Sequence, residues 1–94
     1  MKLFDRSMQI LRISRMEKVY NAVFGAFHEG HFRPEDDPAH GELLRILKEY
    51  YEGPLWKEDY AADERGELPS HMKRGVLSQD AVYNLLAEIE EGNV

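Results

Sequence analysis

A dense run of carboxylates in the second half of the chain, Glu-Asp-Tyr-Ala-Ala-Asp-Glu, is the first place where chemistry could occur. Asp59 and Asp63 lie one helical turn apart in it. Such a pair could bind a divalent cation, or act as acid and base if burial separated the two pKa values. One hypothesis is therefore a small metal-dependent or carboxylate-based hydrolase that uses Asp59, Asp63 and Glu64. We favour electrostatic docking of this face onto Lys73 and Arg74, because paired catalytic acids need a cleft.

Aromatic and basic side chains near the carboxylates also suggest a place where a ligand or partner could bind. Trp56 and Tyr60 are four residues apart and share a helix face, where core packing is the usual role of aromatic rings. The candidate binding cleft predicted from these patterns consists of Trp56, Asp59, Tyr60, Asp63, Lys73 and Arg74.

Other arrangements that carry chemistry are missing from the sequence. His28 and His31 have a spacing that can bind zinc on a helix, but Gly30 interrupts the helix between them. The chain has no cysteine, and its serines lack the glycine frame of a nucleophile elbow. Phosphate-binding and dinucleotide-binding loops are also absent. We therefore expect no catalytic residue, no metal site and no cofactor.

Charge is distributed unevenly along the 94 residues. Residues 1–33 carry a net charge of +3, whereas the remainder carries −9, for a total of −6. A net-acidic surface repels nucleic acid at long range. Nucleic-acid binding is a weaker alternative, and it would use the basic side chains of the first helix, which are Arg6, Arg12, Arg15 and Lys18.

Apolar spacing and turn residues predict an all-α fold. Apolar residues recur every three or four positions through the first segment, and Asp37-Pro38 is a typical helix start. Gly53-Pro54 ends one helix and begins another, and Ser78 precedes the last. We expect a single helical domain over residues 1–94, as a small bundle with an ordered loop at 66–77 and four helices at about 7–29, 38–52, 54–64 (short) and 79–91.

Two longer strings resemble a known family. The first begins Tyr-Tyr-Glu-Gly-Pro-Leu-Trp-Lys-Glu-Asp-Tyr at residue 50, and the second begins Met-Lys-Arg-Gly-Val-Leu-Ser-Gln-Asp-Ala-Val-Tyr at residue 72. Together they resemble an uncharacterised bacterial family, the domain of unknown function numbered 4298, across about residues 8–90. The resemblance implies a small helical protein and assigns no activity, cofactor or site residue. Within these strings, we expect Trp56 to act as a wedge between helices and Gly75 to adopt an unusual backbone angle.

These observations favour a non-catalytic, small helical protein-interaction module that could associate with a second copy of itself. The first helix has apolar residues beyond those that one core face needs, which motivates the self-association. No apolar stretch approaches the roughly 20 residues of a membrane helix, so we expect a cytoplasmic protein without membrane contact.

Overall fold

A computed structural model describes residues 3–30, 33 and 35–92. Over this part of the chain it contains no β-strand. The helices are α1 (Leu3–Gly30), α2 (Pro38–Glu52), α3 (Pro54–Glu64) and α4 (Gln79–Gly92), with a 3-10 turn (Gly75–Leu77) before the last. The predicted all-α bundle of four helices is confirmed, and α1 begins four residues earlier than the sequence suggested.

Local sequence signals account for most of the helix ends. The Asp37 carboxylate accepts a hydrogen bond from the backbone N–H of His40 at 3.2 Å, and Pro38 occupies the first turn. Gly66 has a φ of +68°, which favours glycine because other residues rarely adopt this region. Around it, the Glu67 N–H bonds to the Ala62 carbonyl at 3.0 Å, which completes a capping motif at the end of α3.

The core forms around α1, which contacts α2, α4 and the 3-10 turn. α3 packs on α2 and on the same turn. Each element therefore contributes to one shared apolar interior. Its buried apolar residues are Ile13, Met16, Val23, Leu47, Tyr50, Trp56, Ala62, Leu68, Val76, Leu77, Val82, Leu85 and Ile89.

The unusual backbone angle expected at Gly75 is not found. Gly75 has no positive φ. A Cβ there would lie in ordinary van der Waals contact, 3.4 Å from a carboxylate oxygen of Glu17. No helix among the described residues combines the length and the apolar character needed to cross a bilayer.

Candidate functional site

The inner face of α3 contains one acidic residue, Asp59, between the apolar Trp56 and Ala62. These three residues are spaced by three, so they lie on one side of the helix, and all are buried. The side chain of Asp59 has no solvent exposure. A carboxylate in this position is costly unless it is paired and hydrogen-bonded.

Four hydrogen bonds from two other helices reach the Asp59 carboxylate. Gln9 donates through Nε2 at 2.9 Å, and the Tyr50 hydroxyl donates at 2.6 Å. Arg12 donates through Nε at 2.9 Å and through a second guanidinium nitrogen as well. Asp59 thus joins α3 to α1 through Arg12 and Gln9, and to α2 through Tyr50.

Contacts within this cluster favour the charged form of Arg12 and the neutral form of Tyr50. Hydrogen bonding to Asp59 raises the pKa of the Arg12 guanidinium. Burial, and secondly the hydrogen bond to Asp59, raise the pKa of the Tyr50 phenol well above its ordinary value. Donors already occupy both oxygens of Asp59, and its side chain is buried where a substrate cannot contact it. The cluster is suited to holding helices together.

The other two candidate carboxylates, Asp63 and Glu64, have surroundings different from those of Asp59. Asp63 pairs with Arg74, with 2.8 Å between Oδ1 and Nε, and Arg74 also donates to the Pro69 carbonyl at 2.9 Å. Glu64 is exposed. The three carboxylates of the hydrolase hypothesis therefore do not converge in the arrangement that it requires. Of the two cations expected to dock on α3, Arg74 does so, whereas Lys73 is exposed and lines a depression of about 320 Å³ beside α1.

Trp56 is a wedge between neighbouring elements, as expected, with 8% of its surface exposed. Its indole N–H donates to the Val76 carbonyl at 2.9 Å, across to the 3-10 turn. The ring stacks on Tyr60, with ring centroids 5.1 Å apart. It also contacts Tyr51 of α2 in an edge-to-face arrangement, with ring centroids 4.9 Å apart. The described polar and ring contacts of Trp56 therefore join α3 to α2 and to the turn.

A second side chain fixes the same turn from the opposite direction. The Val76 N–H donates to Oε1 of Glu17, on α1, at 2.8 Å. Side chains of α1 and α3 thus satisfy both backbone groups of Val76. Sequence patterns gave no signal for this contact, because the two residues are 59 positions apart in the chain.

A groove between α2 and α4, which the sequence did not indicate, is lined by both apolar and charged side chains. It consists of two adjoining hollows of about 210 and 280 Å³. Leu44 and Ile89 line one end, and Tyr51 and Tyr83 line the other. The remaining lining residues are Lys48, Glu52, Leu86, Ala87 and Glu90.

Basic residues of α1 divide into paired and unpaired groups. Arg6 binds Glu67 at 2.9 Å and Arg12 binds Asp59, so neither presents a free charge. Arg15 and Lys18 are exposed and form no ion pair with any described residue. Of the four cations expected to bind nucleic acid, only Arg15 and Lys18 therefore remain without an ion pair to a described residue.

Comparison with known proteins identifies the family of this chain but assigns it no function. The sequence matches a domain of unknown function (DUF4298) over residues 13–92, which is most of its length. The chain belongs to the DUF4298 family. Neither a curated protein nor a solved structure matches the DUF4298 chain significantly.

The described part of the DUF4298 chain contains no group of three or more histidine and carboxylate side chains placed to hold a metal ion. His28 lies 3.4 Å from Glu88 of α4 and contacts the rings of Phe24 and Phe27. His31, the second histidine of the sequence spacing, lies outside the described residues. The binding role predicted for the cleft around Trp56 stays a prediction.

Proposed function

We propose that this DUF4298 protein is a non-catalytic interaction module, and that the groove between α2 and α4 binds the apolar face of a helix from a protein partner. The exposure of Tyr83 carries the proposal. Its side chain lines the groove on α4, yet Tyr83 keeps 62% of its surface exposed. An aromatic ring so exposed beside an apolar hollow gains by being covered.

The composition of the groove supports a helix as the occupant. Apolar side chains line both hollows of the groove, together with the charged Lys48, Glu52 and Glu90. Amphipathic helices bind such grooves through residues spaced by three and four. Tyrosine is also among the residues that carry most binding energy at protein interfaces. Lys48, Glu52 and Glu90 form no ion pair with described residues, so a partner can pair with them.

The absence of catalysis in this proposal rests on how the reactive groups are used. Asp59 is buried under four hydrogen bonds, and Asp63 is held by Arg74. General acid–base work needs a group that can reach a substrate proton. These two carboxylates hold elements of the fold together instead.

Site-specific photocrosslinking in cells that express the protein tests the groove directly. A benzoylphenylalanine introduced at position 83 replaces an exposed ring with a similar ring. The matched control places the same group at Lys57, which is exposed on α3 outside the groove. We expect discrete protein adducts from position 83 and none of the same mass from position 57.

Mass spectrometry of the adducts then decides the outcome. Adducts specific to position 83, lost when Leu86 is replaced by arginine, support the groove as a protein-binding site. Equal labelling from both positions, or no protein adduct at position 83, contradicts the proposal.

A further inference from the structure

We infer that the partner helix is α1 of a second copy of this chain, and that its outer face enters the α2–α4 groove. This inference rests on the proposed function and names the partner for that site. The outer face meant here is the α1 stripe, defined as Met8, Leu11, Arg15 and Lys18.

The α1 stripe has the geometry of a helix that enters a groove. Its residues are spaced by three, four and three, so they lie on one face over about 15 Å of helix. Two of them are large apolar side chains left in water, with Met8 50% and Leu11 58% exposed. The two that follow, Arg15 and Lys18, are exposed cations.

Charge complementarity favours a second copy over an unrelated partner. The stripe presents Arg15 and Lys18, the groove presents Glu52 and Glu90, and none of the four forms an ion pair with a described residue. Lys48 is the one cation in the groove, and its flexible stem lets its ammonium group remain in water. One chain therefore carries an apolar face with basic residues and an apolar hollow with a net acidic rim.

In the inferred arrangement two copies share one stripe–groove contact, which is heterologous because the stripe and the groove are different surfaces. Each copy that binds through its groove leaves its own stripe open for another copy. The wild-type protein is therefore expected to form a series of assemblies whose size rises with concentration. A contact between two identical patches would stop at a dimer.

Complementation between two variants tests this arrangement. Leu11→Lys disables the stripe, and Tyr83→Lys disables the groove, both at exposed positions. Leu55→Lys is the matched control, since Leu55 is 42% exposed on α3 and belongs to neither surface. Circular dichroism first establishes that all three variants fold, and sedimentation velocity then follows each between about 10 and 500 μM.

We expect each of the two disabling changes to weaken association by about tenfold or more, while Leu55→Lys leaves it unchanged. An equimolar mixture of the two should form a dimer and stop there. In it the intact stripe of Tyr83→Lys binds the intact groove of Leu11→Lys, and the two lysine-bearing surfaces repel each other. If either variant fails to fold, Arg15→Glu or Glu90→Lys replaces it.

Three results would overturn the inference: a wild-type protein that stays monomeric across the range, assembly that both variants retain, or a mixture that stays monomeric. The crosslinking experiment separates this failure from failure of the proposed function. Position 83 adducts to a different protein would retain the groove as a binding site and remove the second copy as its occupant. Adducts to this same chain, with the crosslinked peptide in residues 3–30, would support both.

Discussion

Replacement of the buried carboxylate is the sharpest test of how this fold is held together. Asp59→Ala removes the acceptor for Gln9, Tyr50 and both donating nitrogens of Arg12. The Arg12 side chain is 27% exposed, so its guanidinium can recover water, whereas the Tyr50 hydroxyl and the Gln9 amide are buried and lose their partner. Leaving those two donors without an acceptor costs about 1–3 kcal/mol each, and loss of the partly exposed Arg12 pair adds about 1 kcal/mol, so the total is about 3–7 kcal/mol.

That loss is large relative to the whole stability of a chain of this size. A 94-residue domain has a free energy of unfolding of about 5–14 kcal/mol. In small domains each kcal/mol lowers the melting temperature by about 4–8 °C. We therefore expect Asp59→Ala to melt at least about 12 °C below the wild type when unfolding is followed by circular dichroism.

Asp63→Ala provides the matched control one turn further along the same helix. Its ion pair with Arg74 is partly exposed, with 25% and 33% of the two side chains accessible, and such pairs contribute at most about 1 kcal/mol. Both substitutions place alanine in α3, so their gains in helix propensity are about equal and cancel in the comparison. A melting temperature for Asp59→Ala equal to or above that for Asp63→Ala would refute the reasoning.

Three further changes probe other parts of the fold. Trp56→Phe removes the donor to the Val76 carbonyl and should cost about 1–3 kcal/mol in urea unfolding, while the native wild-type indole should resist quenching by iodide. Gly66→Ala forces a side chain into a positive φ, so a loss of about 1 kcal/mol is expected in the same assay; no loss would contradict the capping role. The raised pKa of Tyr50 means that the folded state favours the neutral phenol, so its stabilisation is present below the ordinary value of 10.0 and declines above it. Unfolding at about pH 8 and about pH 11 should therefore show a steeper loss in the wild type than in Tyr50→Phe, and equal losses would exclude this group as the cause.

Helix boundaries were predictable because local chemistry fixes them. Asp37-Pro38 and Gly53-Pro54 act within a few residues through capping and the missing proline N–H, and the bounds predicted for α2 and α3 match the structure. The 3-10 turn inside the loop was not predicted, because it depends on side chains of α1 and α3 that come from distant parts of the chain.

The position of Asp59 was beyond local patterns for a related reason. In the sequence it belongs to an acidic run, and an acidic run normally faces water. Only tertiary packing brings Gln9 and Arg12 to it, 50 and 47 residues away in the chain. The same packing directs Arg12 toward α3, whereas Arg15 and Lys18 keep the exposure that their positions suggested.

The double anchoring of Val76 couples the opening of the 3-10 turn to α1 and α3. Its amide hydrogen is bound by Glu17 at 2.8 Å and its carbonyl by Trp56 at 2.9 Å, although the residue lies in a single turn of 3-10 helix. Opening that turn breaks contacts to α1 and α3 together, so local fraying there is suppressed. The Val76 amide should exchange with deuterium as slowly as amides in the middle of α1.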